Sequence, residues 1–181
     1  MIRNTLVWLL MLAAPVIAQK QDGRQKPPAM ASSPEVQNTV DAITGTWSGQ
    51  MTAHVAGSAV ESFDWTMNCK PIALGSGALC TNSGKASIGF MSESCLLAFD
   101  PEGKAVHYMC VTSMGEVHDH KGKWKDEKTI EFEPLRAGMM GQQITETLWW
   151  RFPDPNTIDK TSGVRLPDGS SMTFDFKGKR R

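Results

Sequence analysis

The chain has 181 residues, with 19 Lys and Arg against 19 Asp and Glu. That is enough for one domain with a substantial core and too few for two ordinary ones. The balanced charge excludes the broad basic surface that non-specific nucleic-acid binding needs, and Lys177, Lys179, Arg180 and Arg181 read as a solvated end.

The first residues predict a signal peptide over 1–18. Arg3 supplies a positive start, Leu6 to Leu12 an apolar run, and Val16-Ile17-Ala18 small residues before a cut ahead of Gln19. A periplasmic or secreted location follows. No later apolar run is long enough to span a bilayer. Residues 19–33 are polar, proline-containing and aperiodic, and predict a flexible leader. The domain proper is expected over 34–181. It opens with a short helix, capped by Ser32 or Ser33, with Pro34 near its first position and an apolar stripe of Val36, Val40 and Ile43.

From Thr44 to Cys69 polar and apolar residues alternate. Trp47, Met51, Ala53 and Val55 face one way and Thr46, Ser48, Gln50, Thr52 and His54 the other; beyond Ala56–Ala59, Phe63, Trp65, Met67 and Cys69 resume the apolar register. Period two over this length means two half-buried strands joined as a hairpin. Further strands are expected over 72–82, 86–99, 106–113, 116–124, 129–133, 142–152, 157–164 and 171–177, with turns at Asp100-Pro101-Glu102-Gly103, Asp154-Pro155-Asn156 and Pro167-Asp168-Gly169. Short, regularly spaced strands with no long crossover predict an all-β fold, an up-and-down antiparallel barrel of about ten strands that leaves no edge exposed.

Gly45-Thr46-Trp47, opening the first strand after a helix, resembles the G-x-W signature of lipocalins and the wider calycin superfamily. The resemblance implies a calycin-like barrel with the Trp across its floor and an Arg of the last strand beside it, for which Arg180 is the candidate. Phe99-Asp100-Pro101-Glu102-Gly103, the hairpin Ser113–Glu116 and Lys121-Gly122-Lys123-Trp124 look like a secreted bacterial family of calycin-like domains of unknown function. No site residue transfers from it.

Parity singles out one polar constellation. Glu116, His118, His120 and Trp124 share a face whose opposite carries Lys121 and Lys123, and Glu146 interrupts the apolar stripe Ile144, Leu148, Trp150, Phe152. Imidazoles at i and i+2 with carboxylates nearby suit acid–base chemistry or a metal. His118, His120, Glu116 and Glu146 are therefore the catalytic candidates; the alternative is that Val117 is the inward residue, a β-bulge inverting the parity beyond it. Methionine is abundant, and its thioethers suit copper(I), but no M-x-x-M array is present and a core or cavity lining is the simpler reading. No nucleophile elbow, CxxC pair or Gly-rich phosphate loop occurs, so a nucleophilic, zinc-ribbon or nucleotide-cofactor site is unsupported. No cofactor or metal is assigned, and metal-assisted chemistry stays only as an alternative for the His/Glu cluster.

The four cysteines, Cys69, Cys80, Cys95 and Cys110, suit disulfides in an oxidising compartment. Opposed residues of a hairpin are equidistant from its turn. Cys69 and Cys80 centre on Leu74–Gly75, and Cys95 and Cys110 on Glu102–Gly103, both at turn residues. Cys80 with Cys95 would centre on Ser87–Ile88, a poorer turn, so the first two pairs are predicted.

The residues favour a secreted or periplasmic barrel that binds a small apolar or amphipathic molecule, with Phe63, Trp65, Met67, Tyr108, Trp124, Leu148 and Trp150 as lining. The alternatives are an enzyme built on the His/Glu cluster and a packed envelope module with no ligand. Nothing in the sequence specifies the ligand or the oligomeric state.

Overall fold

The computed structural model describes residues 33–181 apart from 101, 103 and 140. The expected signal peptide and leader thus lie outside the described residues, save Ser33. Helix α1 (Pro34–Ile43) starts at Ser33, whose Oγ accepts from the Val36 N–H at 3.3 Å. Its buried stripe is the expected Val36, Val40 and Ile43, joined by Thr39.

Eleven strands follow: β1 (Gly45–Val55), β2 (Ser58–Ile72), β3 (Gly77–Ala86), β4 (Gly89–Asp100), β5 (Ala105–Thr112), β6 (Val117–Trp124), β7 (Thr129–Met139), β8 (Gln142–Gln143), β9 (Thr145–Asp154), β10 (Thr157–Arg165) and β11 (Ser171–Arg180). Every pairing is antiparallel. Each strand pairs with the next, β7 passes to β9, and β11 returns to β1, so ten strands close into a barrel. The two-residue β8 pairs only with the end of β7.

Several boundaries differ from expectation. The strand expected over 142–152 divides into β8 and β9, and β11 runs on to Arg180, so the basic end expected to be solvated is paired with β1. The chain enters β3 at Gly77 rather than Ile72, because β2 continues through Pro71 and a short 3-10 turn (Ala73–Gly75) intervenes. The fourth strand begins at Gly89, after a turn at Ser87–Ile88. Strand β7 does not stop before Pro134 but runs to Met139. Proline has no N–H for the ladder, and the register shifts there: Asp119 faces Arg136 while His120 faces Pro134, leaving Leu135 unpaired. This bulge keeps Ala137 facing His118 and buried.

Helix α1 closes one end of the barrel. The Trp47 indole N–H donates to the Ile43 carbonyl at 2.8 Å, and Arg180 lies 4.4 Å over the Trp47 ring while donating to the Ala42 carbonyl at 2.9 Å. These bonds satisfy carbonyls that a helix end leaves open, and the cation–π contact adds to them. Trp47 is fully buried.

Disulfides join Cys69 to Cys80 and Cys95 to Cys110. The sequence argument against the middle pair does not hold, however. Ser87–Ile88 is a turn, and Cys80 faces Cys95 as squarely as the bonded residues face each other. All four cysteines form one buried inner row across β2, β3, β4 and β5.

Candidate functional site

Inward side chains fill the barrel next to α1 with aromatic rings packed at steep angles to one another. Trp150 packs 4.6 Å from Phe132 and 4.7 Å from Tyr108, edge-on in the second case. Beyond this layer, away from α1, lies a cavity of about 120 Å³. Trp65, Tyr108, Leu148 and Phe176 line it together with His120 and Lys160, and Phe63, Met51, Met91 and Met139 stand nearer the barrel end. The cavity reaches the β5–β6 turn, where Met114 is half-exposed.

One wall is polar. His118 and His120 project inward from β6, and Glu146 from β9. His118 Nδ1 donates to Glu146 Oε2 at 2.6 Å, and Ser162 Oγ donates to Glu146 Oε1 at 2.5 Å. His120 Nε2 stands 3.1 Å from the same Oε2, but not aligned as a hydrogen bond. Burial alone would raise the Glu146 pKa; the hydrogen bond from His118, the proximity of His120 and the bond from Ser162 outweigh it and hold the carboxyl well below the usual range. For His118, burial alone would lower the pKa, and the hydrogen bond and charge of Glu146 reverse the sign and raise it. The result is a buried, ionised carboxylate between two imidazoles, one of them held protonated to higher pH than a free ring.

A second polar group was not anticipated. Lys160, on β10, turns into the cavity with its Nζ 5.0 Å from the Trp150 ring and 5.9 Å from Tyr108. Its hydrogen-bond contact is to the Met67 thioether at 3.9 Å. Burial lowers its pKa, and Glu93 and Glu146 oppose that from longer range. The signal was present in the sequence: Lys160 and Ser162 share parity with Ile158 and Val164, both buried. Glu93, also in the wall, likewise sits at the parity of Met91, Cys95 and Leu97. Asn82 Nδ2 donates to it at 2.9 Å.

The sequence candidates divide by depth. Phe63, Trp65, Tyr108 and Leu148 line the cavity, as do His118, His120, Glu116 and Glu146. Met67 and Trp150 are fully buried outside its lining. Trp124 has the inward parity expected but stands at the α1 end, where its indole N–H donates to Thr39 Oγ1 at 2.9 Å. Parity assigns a face, not a depth, and Trp124 closes its strand beside the helix. Glu116 lies by the β5–β6 turn, where its Oε1 accepts from the Gly141 N–H at 3.1 Å.

Glu93, Cys95 and Cys110 bring ligand atoms within 4.8 Å of one another, a spacing compatible with a metal ion. The two sulfurs are bonded to each other, though, and a disulfide does not offer the thiolates a metal would need.

No protein-family model matches the chain, and no curated protein matches it in sequence. Among solved structures it is similar to Rv2717c from M. tuberculosis, with a TM-score of 0.61 at 12% identity over 81% of this chain and 97% of that one. It is also similar to the S-type phycobiliprotein lyase CPES from Guillardia theta, with a TM-score of 0.54 at 11% identity over 83% of this chain and 94% of that one. At such identities the likeness concerns architecture alone. The fold of this chain is a closed antiparallel, calycin-like β-barrel.

Proposed function

We propose that this barrel binds a small, mainly apolar molecule about one aromatic ring in size. The cavity carries the reading. Aromatic and thioether side chains surround a space of about 120 Å³, into which a few polar side chains, among them His120, Glu146 and Lys160, converge. Binding sites of this kind pair apolar walls with a few convergent polar groups. A cavity of roughly 150 Å³ in another protein core is known to take benzene, so the volume here suits a single ring.

Export to the periplasm or beyond belongs to the same reading. Two disulfides support an oxidising compartment. No helix among the described residues is long and apolar enough to cross a membrane. The composition of residues 1–18 supports cleavage before Gln19.

Native mass spectrometry of protein purified from its own host tests the binding reading, together with calorimetry against toluene. A bound mass on the scale of one ring, or saturable toluene binding, is the expected result. An empty barrel that also ignores toluene and its ring-sized analogues would overturn it.

Acid–base chemistry on the bound molecule is the second reading, and the buried His118–Glu146 pair favours it. It requires His118 to titrate above a free imidazole. An NMR titration placing the ring at or below the ordinary value removes that reading while leaving binding intact.

A further inference from the structure

Resting on the binding reading, we infer that the lumen is a carbonyl site in which the Lys160 amine condenses with a small aromatic aldehyde to form an imine. Three observations lead there. The first is position. Lys160 sits on the inner face of β10, opposite Trp150 of β9 and Phe176 of β11. Its Nζ therefore lies among rings, and among the described residues no carboxylate comes within ion-pairing distance of it.

The second observation is charge. Glu93, Glu116 and Glu146 line the cavity, against Lys160, His118 and His120 as the groups that can carry positive charge. A ligand carboxylate would enter a wall that already holds three, which like-charge repulsion in a poorly hydrated space disfavours. An organic cation would have to sit against Lys160. A neutral carbonyl avoids both penalties.

The third is reactivity. A lysine becomes a nucleophile when it loses its proton, and apolar surroundings are the usual means. Burial acts in that direction here. Tyr108, the other titratable group close to the amine, is held neutral by its own burial and by Glu93.

The step balances without any redox partner. The nitrogen lone pair attacks the carbonyl carbon, and the carbonyl π electrons move to oxygen. A proton passes from nitrogen to that oxygen to give the carbinolamine. The C–O bond then breaks, the nitrogen lone pair forms C=N, and one water leaves. The departing oxygen needs one proton, which the imine nitrogen's remaining N–H returns to the pool. His118, whose protonated form Glu146 favours, lines the same cavity and can supply that proton.

The test uses benzaldehyde with cyanoborohydride, which reduces an imine to a stable benzyl amine, and toluene as the isostere without a carbonyl. The expected result is one benzyl adduct mapped to Lys160, suppressed by excess toluene. Lys160→Met should lose that adduct completely, with a native near-ultraviolet circular dichroism spectrum showing that the barrel still folds. If toluene binds but benzaldehyde labels Lys160 no faster than the surface lysines, the imine is wrong and the lumen still binds. An adduct unchanged by Lys160→Met is equally fatal to the imine. If toluene does not bind and Lys160 is not labelled, both readings fall.

Discussion

Glu146 concentrates the chemistry of the interior in one side chain. Its carboxylate is buried, yet it is held ionised by His118, His120 and Ser162. The pair it makes with His118 has a pH signature with two limbs. The His118 pKa is raised in the folded state, so its contribution is complete below the free-imidazole value of about 6.5 and is lost as pH rises through the folded value. The Glu146 pKa is depressed, so its contribution is complete above about 4.3 and is lost as pH falls. Stability from this pair should therefore peak in the weakly acidic range. Glu146→Gln should flatten both limbs and cost about 2 kcal/mol near the peak, because it removes a charge-assisted bond from a buried site. Urea unfolding at a series of pH values checks this; parallel curves for wild type and variant would contradict it.

Among the elements, the seam between β1 and β11 has no room for a side chain at Gly49. Gly49 faces Gly178 across it, and a Cβ on Gly49 would come within 1.8 Å of the Lys177 carbonyl oxygen. Backbone cannot swing aside as a side chain can, so Gly49→Ala should force the two strands apart at a cost of about 2 kcal/mol. Amide exchange should then quicken across the seam before it does elsewhere. The cysteine row makes a different demand. Because Cys80 faces both Cys69 and Cys95, removing one partner leaves a thiol opposite an intact bond. In Cys69→Ser, at a pH near the ordinary thiol pKa of about 8.5, exchange should yield a Cys80–Cys95 bond and a free Cys110. Non-reducing peptide maps taken over hours would show it; a map with only Cys95–Cys110 would mean that the row is too rigid to exchange.

For the molecule as a whole, alternation carried most of the fold. Period two in Thr44–Cys69 marked the first hairpin, and the absence of any long crossover implied closure, which the β11–β1 pairing completes. The Arg180 placement beside Trp47 was legible only through a resemblance, since no local pattern links residues so far apart. The strand past Pro134 was not legible, because a bulge trades one residue of register for continued pairing and leaves no periodic trace. Parity found His118, His120 and Glu146 but could not say how deep each residue lies, so it grouped Trp124 with a cavity it does not reach. Lys160 escaped because a lone lysine between polar neighbours reads as solvent-facing until its strand is placed. Closure by α1 matters at this scale too. Ile43→Ala should cost about 3 kcal/mol through the cavity it leaves at a fully buried site, read as a fall in the midpoint of chemical denaturation.

The pairing of the two terminal strands also decides how the barrel would respond to a pull. Antiparallel β1 and β11 meet with Trp47 opposite Arg180 at one extreme and Val55 opposite Met172 at the other. The chain therefore enters β1 and leaves β11 at the same end of the ladder. Tension applied through Ser33 and Arg181 would load the rungs one at a time, like a zipper, instead of shearing them together. The wall should part along this line at modest force, peeling from the α1 end. Both disulfides bridge neighbouring strands, β2 to β3 and β4 to β5, and the loops they close, with sequence separations of 11 and 15, would never extend. A stretched molecule would thus come to rest short of its full contour, with two stapled hairpins still folded back on themselves.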